Sequence, residues 1–267
     1  MEQVTAVLPA HAASSTALDP VTATLRAMFG TDVLPGLAPG LLVVDEADWA
    51  PAATLADGGR LPELLGSAAR LWGGSPHASA ALAWKAYSYW AALPVVLGWA
   101  VARRVPLLDA DSTLIHFADP HTLITLGLRQ SARVAVLPAD PLVVTEPQRV
   151  QVVADEQELL ATLRAALLEA HLSPLITAIQ GEVRIGTRTL LGSVASGIAH
   201  GLLTASDSVP GSTVDAIDTL LDTLGLADLV ELVPDADGKP TVQRRTCCLA
   251  FTLPKPKVCQ GCCLRTA

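Results

Sequence analysis

The sequence predicts an α+β fold, helix-dominated, with a small central antiparallel sheet and a separate cysteine segment at the C-terminus. Three observations lead there. Ala, Leu and Val are abundant in a chain of 267 residues that is 51% hydrophobic but only 4% aromatic, a composition that suits packed helices. Stretches of helical periodicity flank a middle region of short β-branched runs. All five cysteines fall in the last 21 residues.

Residues 1–20 read as a loose lead, with Ser14, Ser15 and Thr16 as candidate caps for a helix through TATLRAMFG that Gly30 closes. Pro35, Gly36, Pro39 and Gly40 mark a loop, and Gly58-Gly59 a break. LPELLGSAARLWGG then reads as a helix ending at Gly73-Gly74, and Ser75 to Ala102 as a long helical stretch kinked before Pro94. After Val105 the runs STLIHF, HTLITLGL and RVAVLP predict an antiparallel meander near 112–153, with RVQVVAD as a fourth strand. Glu156 to His171 returns to helical spacing, with Leu159, Leu160, Leu163 and Leu167 on one stripe. Ser173-Pro174 is expected to open another helix, Thr187 to Thr204 a further one, and Thr213 to Leu224 a last one ended by Gly225. A turn at Asp237-Gly238 leads into the cysteines. The organisation expected is a mainly helical body over 1–238 and a metal-binding segment over 239–267, without internal repeats.

Charge is distributed unevenly. The formal net charge is −8, yet from Lys239 onward there are six bases (Lys239, Arg244, Arg245, Lys255, Lys257, Arg265) and no acid. The first 238 residues carry the other 12 bases against all 26 acids, or −14. An acidic body that ends in a basic, cysteine-bearing tail points to chemistry at that tail rather than to nucleic-acid binding. The N-terminus lacks the basic stretch of a secretory signal, so a reducing cytoplasm is expected, where clustered cysteines bind metal more readily than they form disulfides. Ala86 to Ala102 has 17 residues without a charge, but Pro94 interrupts it; it reads as a buried core helix, with membrane contact at most peripheral.

The tail runs RRTCCLAFTLPKPKVCQGCCLRTA. Cys247 and Cys248 are adjacent, ten residues precede Cys259, and Cys259-Gln-Gly-Cys262 is a C-x2-C knuckle followed directly by Cys263. Such a set suits zinc or an iron–sulfur cluster. Adjacent cysteines point their Cβ atoms apart and fit poorly around one tetrahedral ion, whereas a [2Fe-2S] rhomb offers more spread. Pro254 and Pro256 favour a stiff extended loop that brings the second pair round. Gly261 allows the knuckle to curl.

This C-C-x10-C-x2-C spacing behind two arginines resembles the FhuF family of ferric siderophore reductases. Ala81 to Leu108, with Lys85, Ser88 and Pro94 in a Lys-x2-Ser-x5-Pro pattern, is similar to that family's central helix. LLGSVASGIAHGL resembles its later helix, although the usual Trp-Gly-Asn stands here as Leu191-Gly192-Ser193. The family commonly has proline after the last cysteine, where this chain has Cys263. The resemblance implies a [2Fe-2S] cluster on Cys247, Cys248, Cys259 and Cys262, the last preferred to Cys263 because the x2 spacing then matches. It also implies single-electron reduction of a ferric siderophore, of hydroxamate type, with electrons from a separate donor such as a ferredoxin. Arg244, Arg245, Lys255 and Lys257 are the expected electrostatic tuners or donor-docking groups. An iron–sulfur carrier or redox sensor, or a zinc-bound interaction module, are the rival readings.

Other groups carry less. His77, His116 and His121 read as satisfied histidines rather than ligands. Trp72, Trp84, Trp90 and Trp99 are expected mostly in the core, with one or two lining a groove for a large, partly apolar ligand. Neither a phosphate-binding loop nor a dinucleotide fingerprint is present, so electrons are expected from a partner.

Overall fold

The computed structural model describes residues 17–117, 123–259 and 261–264. Nine helices are assigned among them: α1 (Asp19–Phe29), α2 (Ala53–Ala56), α3 (Leu61–Trp72), α4 (Pro76–Ala102), α5 (Leu142–Thr145), α6 (Glu156–Leu163), α7 (Ser173–Glu182), α8 (Thr187–Thr204) and α9 (Thr213–Leu224). Nine short strands accompany them: β1 (Leu37–Leu42), β2 (Ala50–Pro51), β3 (Arg104–Pro106), β4 (Thr113–His116), β5 (Thr125–Leu128), β6 (Val134–Val136), β7 (Val150–Val152), β8 (Val230–Pro234) and β9 (Pro240–Arg244). The protein is α+β and helix-rich, with small mixed sheets.

α4 is the spine. Ser75 caps it by accepting a hydrogen bond from the Ala78 amide, and nineteen of its 27 residues are buried, Trp84 and Tyr87 completely. The uncharged stretch Ala86–Ala102 therefore belongs to the core. α4 packs chiefly on α8, whose Gly, Ala and Ser residues let the two helices approach closely. The Trp84 indole N–H donates to the Leu190 carbonyl at 2.7 Å and fixes their register. One rod, Glu156–Glu182, is long and apolar enough to cross a membrane by length and composition; 44% of its apolar window is buried inside the protein.

The helix boundaries at Gly30, Gly73, Gly225 and over Thr187–Thr204 follow the sequence reading. The candidate caps Ser14, Ser15 and Thr16 lie outside the described residues. Two expectations differ. Ser173-Pro174 does not open a separate helix: α6 continues through a π-helical segment, Arg164–Leu172, into α7. Those wider turns make room for the proline ring, which would clash with the carbonyl four residues back in a regular helix.

The single antiparallel meander near 112–153 is instead split between two sheets. β4 and β5 pair antiparallel, but β1 joins β5 in parallel and β2 joins β4, giving the order β1-β5-β4-β2. β6 pairs antiparallel with β3 and parallel with β7 in the order β3-β6-β7. α5 supplies the crossover that a parallel pair requires, and Val134, Ala135 and Val136 are all buried, as befits a central strand. β1 and β3 come from far upstream, so local periodicity could not place them. The start of HTLITLGL, including His121, is outside the described residues.

A buried polar relay ties the body together. The Tyr87 hydroxyl lies 2.6 Å from His171 Nε2, and His171 Nδ1 lies 2.9 Å from the Leu108 carbonyl. The neutral imidazole meets both: Nδ1–H donates to Leu108 and Nε2 accepts from Tyr87. Burial lowers the His171 pKa to about 4, against the opposing pull of the Leu108 carbonyl and Asp109. The unfolded chain therefore takes up this proton first as pH falls. Stability from His171 should be intact above its unfolded pKa of about 6.5 and decline toward pH 4, at up to about 1.4 kcal/mol per pH unit. Urea unfolding of His171→Gln should show one proton fewer in the slope of stability over that window; an unchanged slope would refute the assignment.

Candidate cysteine-cluster site

The C-terminal segment is built onto α4, α8 and β9. β8 and β9 form a five-pair hairpin from Val230↔Arg244 to Pro234↔Pro240 around the turn at Asp237-Gly238, so the cysteine segment starts from a strand anchored in the body. Thr246 then lies directly on α8: a Cβ at Gly192 would stand 1.9 Å from the Thr246 hydroxyl. Cys247 and Cys248 follow, Leu249 turns the chain in a left-handed conformation, and Ala250–Thr252 makes one 3-10 turn. Leu253 is buried with Ala78, Leu82, Cys248 and Ala250, and Trp72 covers this small cluster. The Lys257 amide donates to the Ala250 carbonyl at 3.0 Å and closes the proline loop.

The chain then returns to β9. The Arg244 amide donates to the Gly261 carbonyl at 2.9 Å, and the Gln243 side chain donates to the Cys262 carbonyl at 3.1 Å. Gly261 has φ +65°, and a Cβ there would stand 1.7 Å from the Val242 carbonyl oxygen. The curl expected of Gly261 is thus also a close approach to the strand, open to glycine alone. Both ends of the loop are clipped to one strand, which brings the two cysteine groups face to face.

Cys248 Sγ and Cys259 Sγ are 3.8 Å apart. Two thiolates on one tetrahedral ion, with metal–sulfur bonds of about 2.3 Å, stand about 3.8 Å apart. Burial and then the Cys247 charge raise the Cys263 pKa, and the Cys247 sulfur accepts from the Leu249 amide at 3.3 Å. Cys262 is buried at 5% exposure. All five thiols are free. Among the described residues, no three Cys, His, Asp or Glu side chains already enclose a single point. Cys248 and Cys259 thus form one close sulfur pair.

The cations expected around the cysteines divide sharply. Arg244 is 2% exposed; its Nη2 donates to Ser193 Oγ at 3.1 Å, while its Nε and Nη1 have no hydrogen-bond partner. Arg245 is exposed and pairs with Glu231 at 3.1 Å. Lys255 and Lys257 are exposed. Lys85, half-buried on α4, forms no hydrogen bond or ion pair among the described residues. Burial opposes a thiolate at Cys248, but the Ala250 amide, Lys85, Arg244 and the Cys259 thiol outweigh it, and its pKa is lowered. Burial and then the charge on Cys248 raise Cys259. The two shifts run in opposite directions because each sulfur's charge acts on the other.

No family model matches the chain, and no curated protein is significantly similar to it.

Lys85 and Ser193, named in the sequence only as parts of helical patterns, sit at the cysteine segment. Lys85 had a legible signal: apart from His77 it is the one ionisable group other than tyrosine in the 27 residues of α4. His116 stacks on Trp49 and makes no cysteine contact. Of the tryptophans, Trp84 and Trp99 are core, whereas Trp72 faces a cavity beside Cys259.

Gly261→Ala should lower stability by about 1–3 kcal/mol through overpacking against β9. Urea unfolding midpoints measure this; a variant as stable as the parent would show that the segment does not dock as described.

Proposed function

We propose that this chain is a ferric siderophore reductase whose Cys247, Cys248, Cys259 and Cys262 hold a [2Fe-2S] cluster. The observation that carries the reading is Arg244: a guanidinium buried at 2% exposure, two of its nitrogens unpartnered, whose charge acts on the Cys248 thiol. A buried charge left uncompensated costs several kcal/mol, so the site calls for an anion. Four thiolates around two irons leave a net charge of about −2, which answers that need. Bound there, the cluster supplies one electron at a time.

The chain's own residues do the rest. Arg244 and Lys85 stabilise negative charge on the thiolates and favour the more negative, reduced state. Leu253 and Trp72 cover one side of the cysteine pair and exclude water from it. Arg245, Lys255 and Lys257 present exposed positive charge suited to an acidic electron-donor protein such as a ferredoxin. The substrate is Fe(III) held by hard oxygen donors such as hydroxamates; Fe(II) binds the same donors weakly, so one electron releases the metal. That exchange requires neither a nucleophile nor a proton relay, and it fits release of iron in the cytoplasm.

Protein purified without oxygen should contain iron and acid-labile sulfide in equal amounts and give an EPR signal after dithionite reduction. Colourless protein with zinc would replace the reductase with a structural zinc site, whose thiolates would satisfy Arg244 equally. Cys262→Ser should lose the cluster and Cys263→Ser retain it; the reverse result would move the fourth ligand to Cys263, which touches Cys247. Arg244→Gln should lower the cluster potential, and Arg245→Gln leave it within error, since only the former is buried beside the sulfurs. Equal shifts in protein-film voltammetry would reduce both to general charge effects.

A further inference from the structure

A cavity of about 530 Å³ opens beside Cys259, between α4, α8 and the C-terminal loop. Its walls are two helical stripes of matched spacing. α4 contributes Leu82, Lys85, Ala86 and Tyr89, and α8 contributes Ser193, Ser196, Gly197 and His200. Each set follows i, i+3, i+4, i+7, so each is one continuous helix face. Leu253, Lys257 and Cys259 complete the rim from the tail.

The cations in this cavity have no carboxylate partner among the described residues. No Asp or Glu lines it, and neither Lys85 nor Lys257 has an ion-pair partner among the described residues. The other sizeable cavities differ. One of about 330 Å³ beside α1 contains the Arg26–Asp32 pair, and one of about 540 Å³ beside α9 contains the Arg103–Glu156 pair. Of these three cavities among the described residues, the one beside Cys259 combines cations that lack a carboxylate partner with aromatic walls, Trp72 and Tyr89.

We infer that this cavity is the docking site for the ferric chelate and that it selects chelates of net negative charge with an apolar flank. The inference rests on the reductase reading and adds a specificity to it. A cationic chelate meets Lys85 and Lys257 with like charge, while a carboxylate-bearing one pairs with them. The apolar part of the ligand lies on Trp72, Tyr89 and Leu253. Cys259, on the cavity wall, is then the cysteine nearest the bound metal, so the electron leaves toward the chelate from the Cys248–Cys259 side.

The test uses redox-inert gallium(III) in place of iron, so binding is read without electron transfer. A linear trihydroxamate with a free terminal amine gives a complex of charge +1; acetylating the amine gives 0, and succinylating it gives −1. Calorimetric titration of the full-length protein should show the −1 complex binding about 10-fold tighter than the +1 complex at low salt. The preference should shrink as salt rises. Lys85→Met, which keeps the aliphatic stem, should abolish most of it. Lys257→Gln, at an exposed position, gives a second arm should the α4 variant fold poorly. Affinity independent of charge, or charge preference unchanged in both variants, would overturn the inference. Absence of gallium binding in protein that carries the cluster would also overturn it while leaving the cluster reading intact. Charge-selective binding by protein that never holds iron would retain the cavity and remove the reductase.

Discussion

A guanidinium taken out of water organises the C-terminal half of this protein. Arg244 ends β9 with its side chain turned under the cysteine loop, held by one hydrogen bond to Ser193 and otherwise unpartnered. Its backbone amide clips the far end of the same loop through the Gly261 carbonyl. One residue therefore sets both the shape of the loop and the charge beneath it. A cation buried in this way favours negative charge nearby, and its charge acts on the Cys248 and Cys263 thiols.

The helices beneath serve two purposes at once. On α4 the positions facing the body are large and fully buried, with Trp84 bonded to α8 and Tyr87 bonded to His171. On the face toward the tail, Lys85, Ala86 and Tyr89 stay partly open and, with the buried Leu82, form one wall of the cavity. α8 repeats the division with small residues, and Gly192 gives Thr246 the space to lie against it. A rigid two-helix platform thus carries a thin layer of irregular chain, which suits the proposed cysteine-ligated cluster with one edge open to a bulky ligand.

Reading the residues in order went a long way because much of the chemistry is local. The spacing of the cysteines, the glycines that end helices, and the boundaries of α8 and α9 all depend on neighbours within a few positions. The strands were less legible. β4 and β5 pair antiparallel as the short β-branched runs predicted, but their outer partners β1 and β2 come from more than sixty residues upstream, and the parallel pairing of β6 with β7 depends on the α5 crossover. The unbroken passage from α6 to α7 was hidden for a related reason: a proline signals a helix boundary unless the turns before it widen, and the widening is a response to packing.

What the sequence alone determined is the donor set: five thiols in a basic tail, their spacing, and a loop stiffened by prolines. Residue type and separation along the chain settle these, and no folding is needed to see them. Only the tertiary structure separated four apparently equivalent cations into one that is buried under the sulfurs and three that face solvent. It alone brought Lys85 and Ser193, over a hundred residues apart, to the same site. The reason is physical: the energetic weight of a charge depends on its exposure and its neighbours, and both are properties of packed helices rather than of position in the chain.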